Sequence, residues 1–387
     1  MIRCIKTSFS CNKDTLDKLF ECNRISAQIW NDCLYYAKDY SIKNGGKWIN
    51  KSQLQALLKK KYPLHSQSIQ SVAHKYLFSR DSSKKAIDKG IKTVKYPYKT
   101  KKHFNTKWVD KAFKVINNKI QLSNGTGNPK LYLSVHKDIS NIDIKEIELI
   151  YDRGLKLSIS YDDNISIIDN KHTNQVGVDL GEIHSISAYC DNGNSLIITG
   201  RKIRSINRFR NKKLKELQKK MSKCKKHSRQ WKKYNKAKQY ILSKSNNQLK
   251  DCLHKTSKQF IDWCNENKVK EIAIGDLGHI AKGTKKKLRK ITTQKLSNWN
   301  YGQLETYIKY KSEVYDIKIK KQDESYTTQQ CPCCGRRKKP SNRNYICICG
   351  YKAHRDIHGA RNILSKYKYK KITYIGDIKE IKYLRVA

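Results

Sequence analysis

The chain has 387 residues and sets 83 Lys and Arg against 33 Asp and Glu, a formal charge of +50. Self-repulsion on that scale calls for a polyanionic partner, and nucleic acid is the natural one. No apolar run approaches the roughly 18 residues of a membrane-spanning helix, and the opening MIRCIKTSFSCNKD lacks the apolar core of a signal peptide. The expectation is a cytoplasmic, nucleoid-associated protein with no membrane partner, folded as two or three domains around a 37% hydrophobic composition.

Residues 1–10 alternate as one strand through Ile2, Cys4 and Ile5. Asn12 or Asp14 then caps a helix with an apolar stripe at Leu16, Leu19, Phe20, Ala27, Trp30, Leu34 and Ala37, ended by Asn44-Gly45-Gly46. Shorter helices follow at about 52–60 and 66–80. From Tyr96 the period changes to two. Phe113 and Val115 pair with Ile120 and Leu122 across an Asn117-Asn118 turn. Leu131, Leu133 and Val135 follow, and Ile147, Leu149 and Tyr151 pair with Leu155, Leu157 and Ile159 across Asp152-Arg153-Gly154. These are hairpins of a small barrel or sandwich, with a helical module inserted after its first strand. Residues 162–174 read as a linker.

A third region opens with strands at Val176–Val178, Ile183–Tyr189 and Ser195–Thr199. Long helices are expected at about 203–243 and 247–266. The stretch 201–244 carries nineteen Lys and Arg and one acid, and that imbalance repels itself without phosphates nearby. Its aromatics Phe209, Trp231, Tyr234 and Tyr240 are read mainly as core. Then come a strand at Glu271–Leu277, a basic loop at 281–290 that is a candidate lid, a helix at about 301–313, and a strand through Ile317 and Ile319 leading to Glu324. A Lys- and Tyr-rich tail follows Leu364.

The chemistry concentrates at Glu324–Leu364. Cys331 and Cys334 form C-x-x-C, and Cys347 and Cys349 form C-x-C after twelve intervening residues. Each pair is followed by a glycine, Gly335 and Gly350, so two tight knuckles can offer Zn²⁺ four thiolates. Cys333 is a spare thiol. The other eight cysteines are scattered singly and read as small buried hydrophobes in a reducing compartment. A zinc site of this kind is structural, and it holds its flanking segments in fixed relation because binding energy is folding energy. Glu324 lies on one flank and Asp356 on the other. Asp179 ends the apolar strand Val176-Gly177-Val178, where an unpaired acid is costly unless something binds it. A turn acid at Asp179 and an N-terminal helix acid at Asp356 are the plainer readings. Carboxylates from separated strands and a helix can instead hold two Mg²⁺ ions for in-line displacement at phosphate.

GVDLG, EIAIGDL, YTTQQCPCCG, the C-x-C-G knuckle and HRDIHGARNIL occur in that order over about 175–364. Together they resemble the motifs of the TnpB family, RNA-guided nucleases encoded by bacterial insertion sequences and related to Cas-type effectors with a single RuvC nuclease. The resemblance implies an α/β plus β-barrel architecture. Its parts are a first barrel strand at 1–11, a helical recognition insert at 12–94, a wedge-like β-barrel at 95–168, an RNase H-like RuvC nuclease domain at 169–365 with a zinc ribbon at 325–352, and a basic tail at 366–387. It further implies a guide RNA from the end of the element, cleavage of double-stranded DNA, structural Zn²⁺ on Cys331, Cys334, Cys347 and Cys349, and Mg²⁺ on Asp179 and Asp356. The chain departs from the pattern at Gly275, where the family usually has its second acid. A TnpB subgroup and the eukaryotic Fanzor relatives share that gap and carry a Glu before the ribbon, which implies Glu324 as the relocated third member of the catalytic set. Two other readings stay open: a nuclease-inactive RNA-guided DNA-binding regulator, and a DNA transposase.

Overall fold

The computed structural model describes residues 1–117, 119–136, 138–278 and 289–386. Asn118 of the expected turn and residues 281–288 of the expected lid lie outside the described residues. The chain divides into two compact units, Met1–Ile165 and Ser166–Ala387. No helix among the described residues is long and apolar enough to cross a membrane.

In the first unit the opening segment is two strands, β1 (Ile2–Thr7) and β2 (Phe9–Ser10), which enter different sheets. Three helices follow: α1 (Lys13–Lys43), α2 (Lys51–Leu58) and α3 (Ser66–Asp88). Asn12 caps α1 by accepting from the Thr15 amide at 2.8 Å, and Asn50 and Gln53 form a capping box on α2. The period-two region supplies β3 (Thr106–Val109), β4 (Phe113–Ile116), β5 (Lys119–Leu122), β6 (Leu131–Val135), β7 (Asp143–Tyr151) and β8 (Leu155–Asp162). These pair as two four-stranded sheets, β1-β8-β7-β3 and β2-β6-β5-β4, and the ladders do not record one closed barrel. One core joins the helices to both sheets, with Trp30, Trp108, Ile147, Leu149 and Ile159 among its buried members.

The second unit is built on a six-stranded sheet in the order β13-β12-β9-β10-β11-β16. Its strands are β9 (Asn174–Asp179), β10 (His184–Cys190), β11 (Asn194–Thr199), β12 (Val269–Gly275), β13 (Lys318–Gln322) and β16 (Glu380–Arg385). β9, β10 and β11 run antiparallel in series, while β12 lies parallel to both β9 and β13. The stretch expected to be only a basic tail therefore contributes an edge strand, β16, parallel to β11. The basic region forms α4 (Arg201–Ser222) and α5 (Arg229–Glu266), so the helix break falls at 223–228 and not between 243 and 247. Left-handed His227 (φ 68°) reverses the chain there, and the Ser228 hydroxyl caps α5 by accepting from the Trp231 amide. Phe209 and Tyr240, read as core, are 61% and 46% exposed.

The remaining elements are α6 (Lys290–Asn298), α7 (Tyr301–Ser312), the ribbon strands β14 (Asn344–Ile346) and β15 (Lys352–His354), and α8 (Arg355–Tyr369). α8 packs across β9 and β10 and buries Ile357, Ala360, Ile363 and Leu364. Of the eight scattered cysteines, Cys22, Cys33, Cys190, Cys252 and Cys264 are buried, Cys11 and Cys224 half-buried and Cys4 exposed.

Candidate active site and zinc ribbon

Three adjacent parallel strands end at one edge of the sheet. Asp179 is the last residue of β9, Gly275 of β12 and Gln322 of β13, and Gly275 pairs with Gln322 in register. The carboxyl ends of parallel strands form the crevice where ligands of open α/β sheets bind. Two residues after Gln322 the chain reaches Glu324. The expected unbroken strand to 324 is absent, because β13 stops at Gln322. Asp323 instead turns away to a salt bridge with Lys366 at 2.6 Å, which holds its carboxyl down to about 2, while the Ser325 hydroxyl donates to it. Glu324 is thereby directed inward, toward the backbone of Gly275.

The fourth wall is the first turn of α8. Asp356 sits there, and Gly359 one turn on gives Asp179 its room, since a Cβ at 359 would lie 2.8 Å from Asp179 Oδ2. The electrostatics show three carboxylates in one neighbourhood. Burial pushes Asp179 up to about 7, and the charge of Asp356 adds to it against the pull of Arg355 and Arg343. Burial likewise pushes Glu324 up to about 7, with Asp179 the largest charge contribution. Asp356 goes the other way. Burial raises it, but a hydrogen bond from His184 and the charge of Arg343 outweigh burial and hold it below its ordinary value. His184 Nδ1 lies 2.6 Å from Asp356 Oδ2, and Arg343 Nη1 donates to both carboxylate oxygens at 2.7 and 3.0 Å.

The ribbon cysteines meet. Cys331 and Cys349 Sγ are 3.6 Å apart and Cys334 and Cys347 Sγ 3.5 Å, and all four lie within 4.8 Å of one another. Tetrahedral Zn²⁺ with Zn–S near 2.3 Å requires sulfur separations of about 3.8 Å, so the set fits zinc closely. Gly335 and Gly350, at φ 73° and 87°, turn the two knuckles. Cys333 is exposed and outside the set. The ribbon is tied to α8 by side chains. His358 stacks on Tyr345 with ring centroids 4.0 Å apart, and Asn362 Nδ2 donates to the carbonyls of Thr327 and Gln330 at 2.8 and 2.9 Å. Glu324 and Asp356 are therefore held on the two sides of one cross-linked unit.

Among the described residues a second group of donors lies within 4.8 Å: His184, His354 and Asp356. Asp179 and Glu324 are not members of that group.

Residues 158–281 match a family described as "Probable transposase" (OrfB_IS605), and residues 301–363 match the TNB domain of Cas12f1-like proteins. The two spans contain Asp179, Gly275, Glu324, Asp356 and the four ribbon cysteines. Over 253 residues the chain is 25% identical to the TnpB-like protein MJ0751 of Methanocaldococcus jannaschii, covering 62% of this chain and 88% of that protein. These matches support the resemblance of the chain to the TnpB family.

The chain is also 33% identical over 114 residues to the CRISPR-associated endodeoxyribonuclease Cas12f1 of Sulfoacidibacillus thermotolerans, a match spanning 28% of this chain and only 25% of that relative. Its mixed α/β fold is similar to the protein of a Cas12f1–sgRNA–target DNA complex, with a TM-score of 0.64 over 91% of this chain and 83% of that one at 15% identity. Three residues at the site were not singled out from the TnpB motifs: His184, Arg343 and Tyr383, whose hydroxyl lies 3.2 Å from His184 Nε2. The Arg343 contact spans 13 residues and the His184 contact 172 residues, so neither leaves a local signal.

Proposed function

We propose that the chain is a transposon-associated, RNA-guided endonuclease of the RuvC type that hydrolyses double-stranded DNA with Mg²⁺ on Asp179, Glu324 and Asp356. The observation that carries this reading is the convergence of three acids from β9, the segment after β13 and α8 at the open end of the sheet. Bound Mg²⁺ would polarise the scissile phosphate and acidify the attacking water. The residues do the rest. Asp179 and Glu324, which burial raises to about 7, would hold the ion as deprotonated carboxylates. Arg343, half-exposed at the head of the ribbon hairpin, must give up at least one of its two bonds to free an oxygen of Asp356.

The +50 chain and the lysine-rich pair α4 and α5 supply the phosphate-binding surface for guide and target. Sequence selection then rests on guide pairing. The regulator reading has one observation in its favour, the occupation of Asp356 by Arg343 and His184. End joining by a transposase draws no comparable support from the site.

The test is to purify the protein with RNA from its own locus, identify that RNA, and assay cleavage of a matching duplex. Asp179→Ala, Glu324→Ala and Asp356→Ala should each abolish cutting and leave guide and target binding intact. Parent protein that binds target and never cuts with any divalent metal establishes the regulator instead.

A further inference from the structure

His184 opens β10, just before an irregularity in its pairing with β11, and is 6% exposed. Its partners come from two elements in the C-terminal part of the second unit, α8 and β16. Nδ1 faces Asp356 Oδ2 at 2.6 Å, and Nε2 faces the Tyr383 hydroxyl at 3.2 Å. Tyr383 belongs to β16, whose parallel register on β11 sets it opposite Ile197 and sets Arg385 opposite Thr199, the residue that pairs with His184. The Tyr383 and His184 rings meet edge-on, 5.7 Å apart at 89°.

The carboxylate of Asp356 accepts, so His184 Nδ1 carries the hydrogen directed at it, and the Tyr383 hydroxyl, which can donate or accept, holds the other ring nitrogen. Asp356 needs such a fixture. It lies in the first turn of α8, whose N-cap residue His354 makes no side-chain capping bond, and Arg343 contacts both of its oxygens. Pinning Oδ2 from behind leaves Oδ1 as the atom free to take a cation once Arg343 lifts. Carboxylate ligands are commonly oriented by a hydrogen bond of this kind.

We infer that Tyr383 and His184 are positioning residues for Asp356, so that the last strand of the chain is part of the active site. This rests on the nuclease reading above. It assigns a function to β16 that packing alone does not require, because Tyr383 is 46% exposed and yet its hydroxyl reaches His184 Nε2.

The experiment measures Mn²⁺ binding by electron paramagnetic resonance on the full chain with its co-purified RNA, together with the Mn²⁺ concentration for half-maximal cleavage. His184→Ala should weaken Mn²⁺ binding by about tenfold or more, the usual cost of removing a residue that orients a ligand. Tyr383→Phe, which deletes one oxygen and keeps the ring, should give a smaller loss in the same direction. His184→Asn, whose Nδ2–H stands near the lost Nδ1–H, should recover most of the affinity, and RNA and target binding should not change in any variant. Parent-like Mn²⁺ affinity in His184→Ala overturns the inference, as does a His184→Asn protein no better than His184→Ala. A parent protein that neither binds Mn²⁺ nor cuts overturns the nuclease reading itself, a result distinguishable from failure of the relay alone.

Discussion

The carboxylate of Glu324 occupies the space that a side chain at Gly275 would need. A methyl group at 275 would stand 2.6 Å from Glu324 Oε2 and 3.1 Å from Ile363 Cδ1. A side chain at 275 therefore obliges the Glu324 carboxylate to move, and an acid arriving from the segment after β13 takes this position only beside a bare backbone at the end of β12. This gives the missing acid of the EIAIGDL motif a steric reason.

Gly275→Ala should therefore lower cleavage by displacing Glu324, with the fold and target binding retained. Glu324→Ala vacates the space, so adding Gly275→Glu to it should restore part of the activity from the neighbouring strand. Single-turnover cleavage of one duplex by the three proteins decides the matter. Normal cutting by Glu324→Ala removes Glu324 from the catalytic set.

The raised acids make a stability prediction with a definite sign. Asp179 and Glu324 have ordinary values of 3.8 and 4.5 and are pushed up to about 7 in the folded chain. The folded state holds these protons more tightly than the unfolded one, so both acids cost stability as pH rises from about 4 to about 7, and the cost is complete above that. Asp179→Asn and Glu324→Gln should raise the melting temperature in Mg²⁺-free buffer without chelator at pH 8, and the gain should shrink towards pH 4. In saturating Mg²⁺ the order should reverse, because the parent gains binding energy that the variants lose. A pH-independent difference between parent and variant would show that burial does not raise the two acids in the folded chain.

The ribbon should hold one Zn²⁺, and its loss should reach the acids. Cys331→Ser or Cys349→Ser removes one of four thiolates and should lower zinc content and melting temperature together. The His358–Tyr345 stack and the Asn362 bonds connect that unit to α8, so cleavage should fall as well. Cys333→Ser should leave zinc content unchanged, since its thiol is exposed and outside the cluster. Metal analysis and thermal melts on the three variants suffice. Full zinc loading in Cys331→Ser would show the ligand set to be wrong.

Sequence was informative here where the signal is local. The two cysteine pairs, the Asp179 strand and the helix opening at Asp356 each fit within a few residues, so spacing alone exposes them. The alternation argument for Glu324 is one the structure does not follow: it assumes a strand through 324, whereas β13 ends at Gln322 and the turn at Asp323 redirects the chain. His184, Arg343 and Tyr383 were out of reach because their roles depend on register between distant strands. β16 was hidden for another reason. A six-residue edge strand needs one partner only, and EIKYLR is too charged and exposed to announce it. The break between α4 and α5 was masked by the uniform lysine pattern around His227 and Ser228.

Exposure of Phe209 and Tyr240 allows charge and stacking to be separated in nucleic-acid binding. Both rings stand on the basic helices, and Lys244 Nζ lies 5.9 Å from the Tyr240 ring centroid. Lysines release counterions from phosphates, which makes affinity fall steeply with salt, with a log–log slope near 0.9 per phosphate contact on duplex DNA. Exposed aromatics stack on bases for about 1–3 kcal/mol each, a contribution that scarcely depends on salt. Lys212→Gln and Lys215→Gln together should therefore flatten the salt dependence of binding. Phe209→Ala or Tyr240→Ala should weaken binding to a single-stranded oligonucleotide by a similar factor at every salt concentration and leave the slope unchanged. Fluorescence anisotropy with single-stranded and duplex probes at several salt concentrations reads both effects. If Phe209→Ala and Tyr240→Ala each bind single strands like the parent, the rings are solvent-facing packing and the basic helices act by charge alone.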